Sequence, residues 1–206
     1  MFKRAAKSIA KALLGRYRVL RIYRVDLGSL RSDDTIGYDL RRMASDEEML
    51  LAEDSVIRDH AFFAEGKTNA FGLWENGKLA CSCVIWDAER VTDAIIGDLK
   101  NAEALLVDIV TAESNRQRGF ALATLRFVMM EMKRKGYQSL ICTIWHNNHA
   151  SIKTFEKAGW RYTALVAEVF PFGRRFTFRF ERMVSSGNVA ALLVKLLAAL
   201  TKSVRP

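Results

Sequence analysis

Residues 104–135 constrain this chain more than any other stretch. Residues 104–111 (Ala-Leu-Leu-Val-Asp-Ile-Val-Thr) are an apolar run interrupted by Asp108, of a length that suits a buried strand. A polar loop follows and closes on Arg116-Gln117-Arg118-Gly119-Phe120-Ala121, after which the spacing predicts a long helix to residue 135. A buried strand that feeds a loop and then a helix belongs to a layered α/β arrangement. The polar loop is the place in such a unit where backbone groups stay open to solvent.

The flanking segments supply the rest of the sheet. Residues 19–27 and 36–43 read as strands, with a polar turn over 28–34. Ser45 offers an N-cap with Glu48 three residues on, so a helix carrying Met49, Leu50, Ala52, Val56 and Ile57 is expected. Residues 69–74 and 78–86 form a hairpin around Asn76-Gly77, and 88–103 read as a loop with a short helical piece. Residues 139–145 are a strand, residues from Ser151 on are a helix that stops at Gly159, and 161–170 with 174–183 close the domain as a hairpin turning at Pro171-Phe172-Gly173. The expected fold is α/β, a mixed sheet of about seven strands with helices on both faces.

With 206 residues, half of them hydrophobic, and only 2 Pro, the chain holds one substantial core and no flexible linker. The expected division is 1–35, a basic helix and an extra strand; 36–183, the main domain; and 184–206, a C-terminal amphipathic helix. The three cysteines, Cys81, Cys83 and Cys142, are too few for a disulfide framework and have no histidine beside them. Buried free thiols and no metal site are the expectation.

Charge is distributed unevenly. Residues 1–31 hold nine Lys or Arg against Asp26 alone, and residues 153–206 hold ten against three acids, while the middle of the chain is acidic. Residues 2–14 place Phe2, Ala5, Ala6, Ile9 and Leu13 on one helical face and Lys3, Lys7 and Lys11 on another. The apolar run 189–200, broken by Lys195, falls short of the ~20 residues that span a bilayer. A cytoplasmic protein is expected, with its basic ends either peripheral on an anionic membrane surface or packed on the domain or on a partner subunit. Nucleic acid is not an expected partner, since no binding module is present. A homodimer stays open.

The loop before the long helix has a specific chemistry. Gly119 at a helix start lets the backbone approach a ligand, and free amides with the helix dipole favour a phosphate. Arg116-x-x-Gly119-x-Ala121 resembles the Arg/Gln-x-x-Gly-x-Gly/Ala signature of the GNAT superfamily of acyl-CoA-dependent N-acetyltransferases. Downstream, Asn148-His-Ala-Ser151-Ile-Lys-Thr-Phe155-Glu-Lys-Ala-Gly159-Trp160 is similar to that family's Asn-x-x-Ala-x-x-x-Tyr-x-x-x-Gly-Phe segment. The two motifs stand in the family's order, joined by one helix and one strand, and the resemblance spans residues 36–183.

The resemblance implies an acyl-CoA donor, usually acetyl-CoA, as co-substrate, and an amine acceptor on a small molecule, a sugar precursor or a protein. The pyrophosphate would sit on the amides of Arg116, Gln117, Arg118, Gly119, Phe120 and Ala121. The pantetheine would run between strands 104–111 and 139–145, which splay apart in this family. An amide near Ile109 or Val110 would polarise the thioester carbonyl. Asn148 would bond the pantetheine or cap the helix through Ser151. Deprotonating the ammonium needs a base, for which Asp108 is the first candidate and His146 the second. Phe155 stands where the family often has a proton-donating Tyr. That departure keeps a non-catalytic acyl-CoA-binding module as an alternative, beside a long-chain acyltransferase at the membrane surface.

Overall fold

The computed structural model describes residues 16–30, 37–66, 69–91, 96–170 and 176–181. Its strands are β1 (Arg16–Asp26), β2 (Asp39–Arg42), β3 (Asn69–Glu75), β4 (Lys78–Asp87), β5 (Glu103–Thr111), β6 (Ser139–Trp145), β7 (Arg161–Phe170) and β8 (Phe176–Glu181). Its helices are α1 (Glu47–Leu50), α2 (Ser55–Asp59), α3 (Phe120–Arg134) and α4 (His149–Lys157). The chain divides into two compact units, residues 23–161 and residues 1–22 with 162–206. The expected terminal helices and the turn at 171–173 lie outside the described residues.

In the larger unit the strand order is β2-β3-β4-β5-β6, with the end of β1 beyond β6. β2 through β5 pair antiparallel, and β5 pairs with β6 in parallel. The hairpin β3–β4 turns where the sequence places Asn-Gly, with φ of 52° at Asn76 and 76° at Gly77, the double positive φ that matches the strands' twist. The parallel pair is joined by α3, because a parallel neighbour requires a crossover. The sheet is therefore mixed, as expected, and eight strands are described rather than about seven.

Helices cover both faces of this unit. On one, Met49 of α1, Ile57 of α2 and Ala61 pack with Trp74, Leu79, Val84 and Val110. On the other, Phe120 and Ala123 of α3 lie on Leu73, Ala80 and Cys81. With cover on both sides, β3 and β4 are buried almost continuously, which explains why their interiors are apolar on both faces, apart from Ser82. Cys81, Cys83 and Cys142 are free and buried.

The helix expected to start at Ser45 departs from its sequence pattern. It breaks into α1 and α2 around residues 51–54, because Asp54 turns its carboxylate to the Val56 amide at 2.9 Å and starts a second helix. Glu48 does reach back, but to the Ala44 amide at 2.6 Å.

The smaller unit holds the start of β1 with β7 and β8. β7 and β8 pair antiparallel from Ala164↔Glu181 to Val169↔Phe176. Glu168 is fully buried. It meets the Arg18 guanidinium and accepts the Thr177 hydroxyl at 3.3 Å, as a buried carboxylate must be compensated. Among the described residues no helix is long and apolar enough to cross a membrane, and no group of three or more His, Cys, Asp or Glu can hold a metal ion.

Candidate functional site

Two local irregularities of β5 build the site, both in the larger unit. The β4–β5 register pairs Val84 with Asp108 but Ile85 with Leu106, so Val107 is an extra residue, a β-bulge. On its other edge β5 pairs with β6 only from Glu103↔Ser139 to Leu106↔Cys142. Both strands continue, to Thr111 and Trp145, without pairing to each other. The result is an open edge along residues 107–111.

The direction of each amide on that edge follows from the ladder. Ala112 donates to the Ala80 carbonyl at 2.9 Å, so in the same register Val110 and Asp108 face β4 and the Ile109 amide faces the open edge. Of the two amides expected near the thioester, Ile109 is the one on the β6 side and Val110 is turned toward Ser82.

The loop leaving β5 ends in two left-handed residues, Gln117 with φ 64° and Gly119 with φ 83°. Gly119 is the N-cap of α3 and has no side chain to cap the helix. The amides of Gly119 to Leu122 donate to no carbonyl among the described residues; the first bond into the helix is Ala123 N to Gly119 O, at 3.0 Å. A Cβ added at Gly119 would meet nothing within 4 Å. The loop therefore presents open donors to free space at the positive end of a 15-residue helix.

The arginine side chains divide their work. Arg118 forms a two-point pair with Glu75 at 2.5 and 2.6 Å, and Asn115 donates to the same carboxylate at 2.9 Å. The bond from Arg118 holds the Glu75 carboxyl below its ordinary value. Arg118 also lies over the Phe120 ring, 4.7 Å from its centre. It braces the loop on the end of β3. Among the described residues Arg116 pairs only with Glu113, at 3.5 Å, and it is half exposed.

At the end of β6, Asn148 caps α4: its Oδ1 accepts the Ser151 amide at 3.1 Å. Phe155 is buried on the inner side of α4 with its ring edge-on to Trp160, 5.0 Å between centres. The Trp160 Nε1 is buried without a partner among the described residues.

The bulge turns Asp108 to the face that carries α2. Its Oδ1 lies 2.9 Å from Nδ1 of His60, and its Oδ2 is buried with no partner among the described residues. Burial pushes the Asp108 carboxyl above its ordinary value, against the opposing pull of His60 and the Ile109 amide. The imidazole bonded to Asp108 is His60; His146, the second candidate base, follows the last residue of β6. His60 stands 48 residues from Asp108. No periodicity or motif links the two positions, and only the sheet brings them together. Glu75 is the other site residue that sequence reasoning missed. Its place beside the hairpin turn gave no sign of a loop partner 43 residues on.

Comparison with known proteins identifies the family and the fold. Residues 36–160, more than half of the chain, match the Acetyltransferase (GNAT) family. No curated protein matches the sequence. Among solved structures, an acetyltransferase from the GNAT family of Novosphingobium aromaticivorans is similar with a TM-score of 0.56 and 18% identity, over 75% of this chain and 64% of its own. One from the GNAT family of Colwellia psychrerythraea has a TM-score of 0.50 and 18% identity, over 86% and 61%. A GCN5-related N-acetyltransferase of Sphaerobacter thermophilus has 0.51 and 12%, over 87% and 56%. The matches span about six tenths of these proteins' own length, and at such identities they show a shared fold.

Proposed function

This chain belongs to the GNAT acetyltransferase family, and from that premise we propose that it transfers an acyl group, acetyl foremost, from acyl-CoA to an amine. The observation that carries the reading is the pair of open backbone features in one strand–loop–helix unit, the unbonded amides at the start of α3 and the unpaired edge of β5. The loop suits a pyrophosphate, whose charge meets the free amides and the helix end. The open edge suits the pantetheine arm, which pairs with backbone as a strand would. The Ile109 amide lies on that edge, where a thioester oxygen would gain charge on attack, and would have to share its hydrogen with the Asp108 carboxylate that it also meets.

Attack requires the neutral amine, and the basic group at this edge depends on the Asp108 carboxylate. The acceptor is read as the amine of a small molecule, a sugar precursor or a protein. Phe155 offers no proton to the leaving sulfur. A thiolate is a tolerable leaving group, because it is only weakly basic compared with an alkoxide or amide.

Calorimetric titration with CoA and acetyl-CoA, followed by thiol release across a panel of amines and acyl lengths, tests the reading. Gly119→Ala must either hold a left-handed alanine, at about 1–2 kcal/mol, or lose the loop geometry. CoA affinity is expected to fall about tenfold, as 1.4 kcal/mol implies. Binding of CoA with no thiol release on any amine would instead favour a non-catalytic module. Failure of CoA to bind would remove the reading.

A further inference from the structure

The Asp108–His60 couple has an inner and an outer member, and this inference rests on the acyl-transfer reading above. The inner member is the carboxylate, whose side chain is 10% exposed and whose second oxygen is closed to solvent. The outer member is the imidazole, with 38% of its side chain exposed. An acceptor amine approaching this face meets the ring before it meets the carboxylate. Nδ1 is occupied by Asp108, while Nε2 has no partner among the described residues.

We propose that Nε2 of His60 is the atom that takes the proton from the acceptor ammonium, and that Asp108 is the positioning residue behind it. When Nδ1–H donates to Oδ1 of Asp108, the ring is held as the tautomer whose lone pair is on Nε2. Proton uptake at Nε2 makes an imidazolium whose charge is balanced by the carboxylate 2.9 Å away. The buried carboxylate is then compensated in just the state in which the base has done its work.

The proton balance is complete without any further reagent. The ammonium gives one proton to Nε2, and the neutral nitrogen forms the C–N bond at the thioester carbonyl. The C–S bond breaks, and the second N–H proton ends on the departing sulfur. His60 returns its proton to solvent from its exposed edge. The products are the amide, CoA and one proton.

The groups around the couple bring no further charge against it. From β4 come the Val84 side chain, cross-strand from Asp108, and the Ser82 hydroxyl, cross-strand from Val110. The thiols of Cys81 and Cys83 lie on the opposite face, both pushed up by burial, Cys81 to about 11, and so neutral near pH 7. From β5 comes the Ile109 amide. From the turn after α2 comes the Phe63 ring, 5.9 Å from His60 between centres. Arg58 on α2 is turned back, its Nη1 on the carbonyls of Ala52 and Glu53 at 2.6 and 2.7 Å. Asp59 beside it is exposed to solvent.

The test joins a spectrum to kinetics. Long-range proton–nitrogen correlation of the imidazoles in the intact chain, assigned with His60→Gln, is expected to show His60 as the Nδ1–H tautomer, and Asp108→Asn is expected to abolish that preference. In turnover, His60→Gln retains a donor toward Asp108 but cannot take a proton. Its kcat is expected to fall about 10²-fold or more, with KM for acyl-CoA within twofold. His60→Ala should lose as much and regain part of it with added imidazole. Asp108→Asn on top of His60→Ala should cost little more, since the two act as a unit. A wild-type Nε2–H tautomer, or His60→Gln within twofold of wild-type kcat, would overturn the couple and leave the acyl-transfer reading standing. Absence of thiol release by the unaltered chain on every amine would overturn the base role together with that reading.

Discussion

Asp108 shows how one residue sets function against stability. In the folded state its carboxyl is raised above the unfolded value by burial. Between those two values the native state holds more protons than the unfolded one, so stability falls as pH rises through that window. Above the window the charged form is a standing cost that His60 only partly offsets. Asp108→Asn is therefore expected to raise the melting temperature near pH 7 and to flatten its decline through the acidic range, while turnover falls. Thermal unfolding across pH measures this, and an unchanged or lower melting temperature at pH 7 would show that the bond to His60 outweighs the burial cost. The sequence marked Asp108 as unusual because a charge interrupts an apolar strand. It carried no mark on His60, because the partner of a buried carboxylate is chosen by the face on which the chain folds back.

Two helix starts do the positioning at the level of elements, and they use different devices. Gly119 begins α3 with a left-handed turn and no cap, so its amides stay open. Asn148 begins α4 with its own side chain on the Ser151 amide. Asn148→Ala should cost about 1 kcal/mol of stability, whereas Asn148→Asp keeps the cap and should cost almost none. If Asn148 also bonds the pantetheine arm, only its Nδ2 donor remains for that task, and Asn148→Asp will raise the KM for acyl-CoA several-fold at full stability. An unchanged KM would assign Asn148 to capping alone. Strand and helix periods, the Asn-Gly hairpin and the glycine before α3 were legible because each is a local rule. The bulge at Val107 and the break between α1 and α2 were not. A bulge depends on the register of two strands, and the break depends on one Asp54 carboxylate choosing the amide two residues ahead.

For the molecule as a whole, the two units differ in charge as well as in sequence position. The basic stretches at 1–31 and 153–206 flank an acidic middle, and most of the first and much of the second lie outside the described residues. We propose that these ends bring the protein to the anionic face of a membrane, as a peripheral rather than a spanning contact. Co-sedimentation should show binding to vesicles rich in anionic lipid, little to neutral ones, and release as salt is raised over a few tenths molar. Equal binding to both lipids, unaffected by removal of residues 1–16, would sink this proposal.

By itself the sequence determined the layered α/β class, the donor loop at 116–121 with its glycine, and the helix behind it. Those features rest on spacing within a few residues, where backbone sterics and burial periodicity act directly. Tertiary structure alone decided what surrounds that loop. It tied Arg118 to Glu75, turned the Ile109 amide to the open edge, and set His60 against Asp108. Each of these joins residues that pattern cannot connect, because a contact across a sheet depends on register and on which face a bulge presents. The loop that constrained the fold at the outset is thus legible from its own residues as a glycine-started helix, while the pairing of Asp108 with His60 exists only in the folded chain.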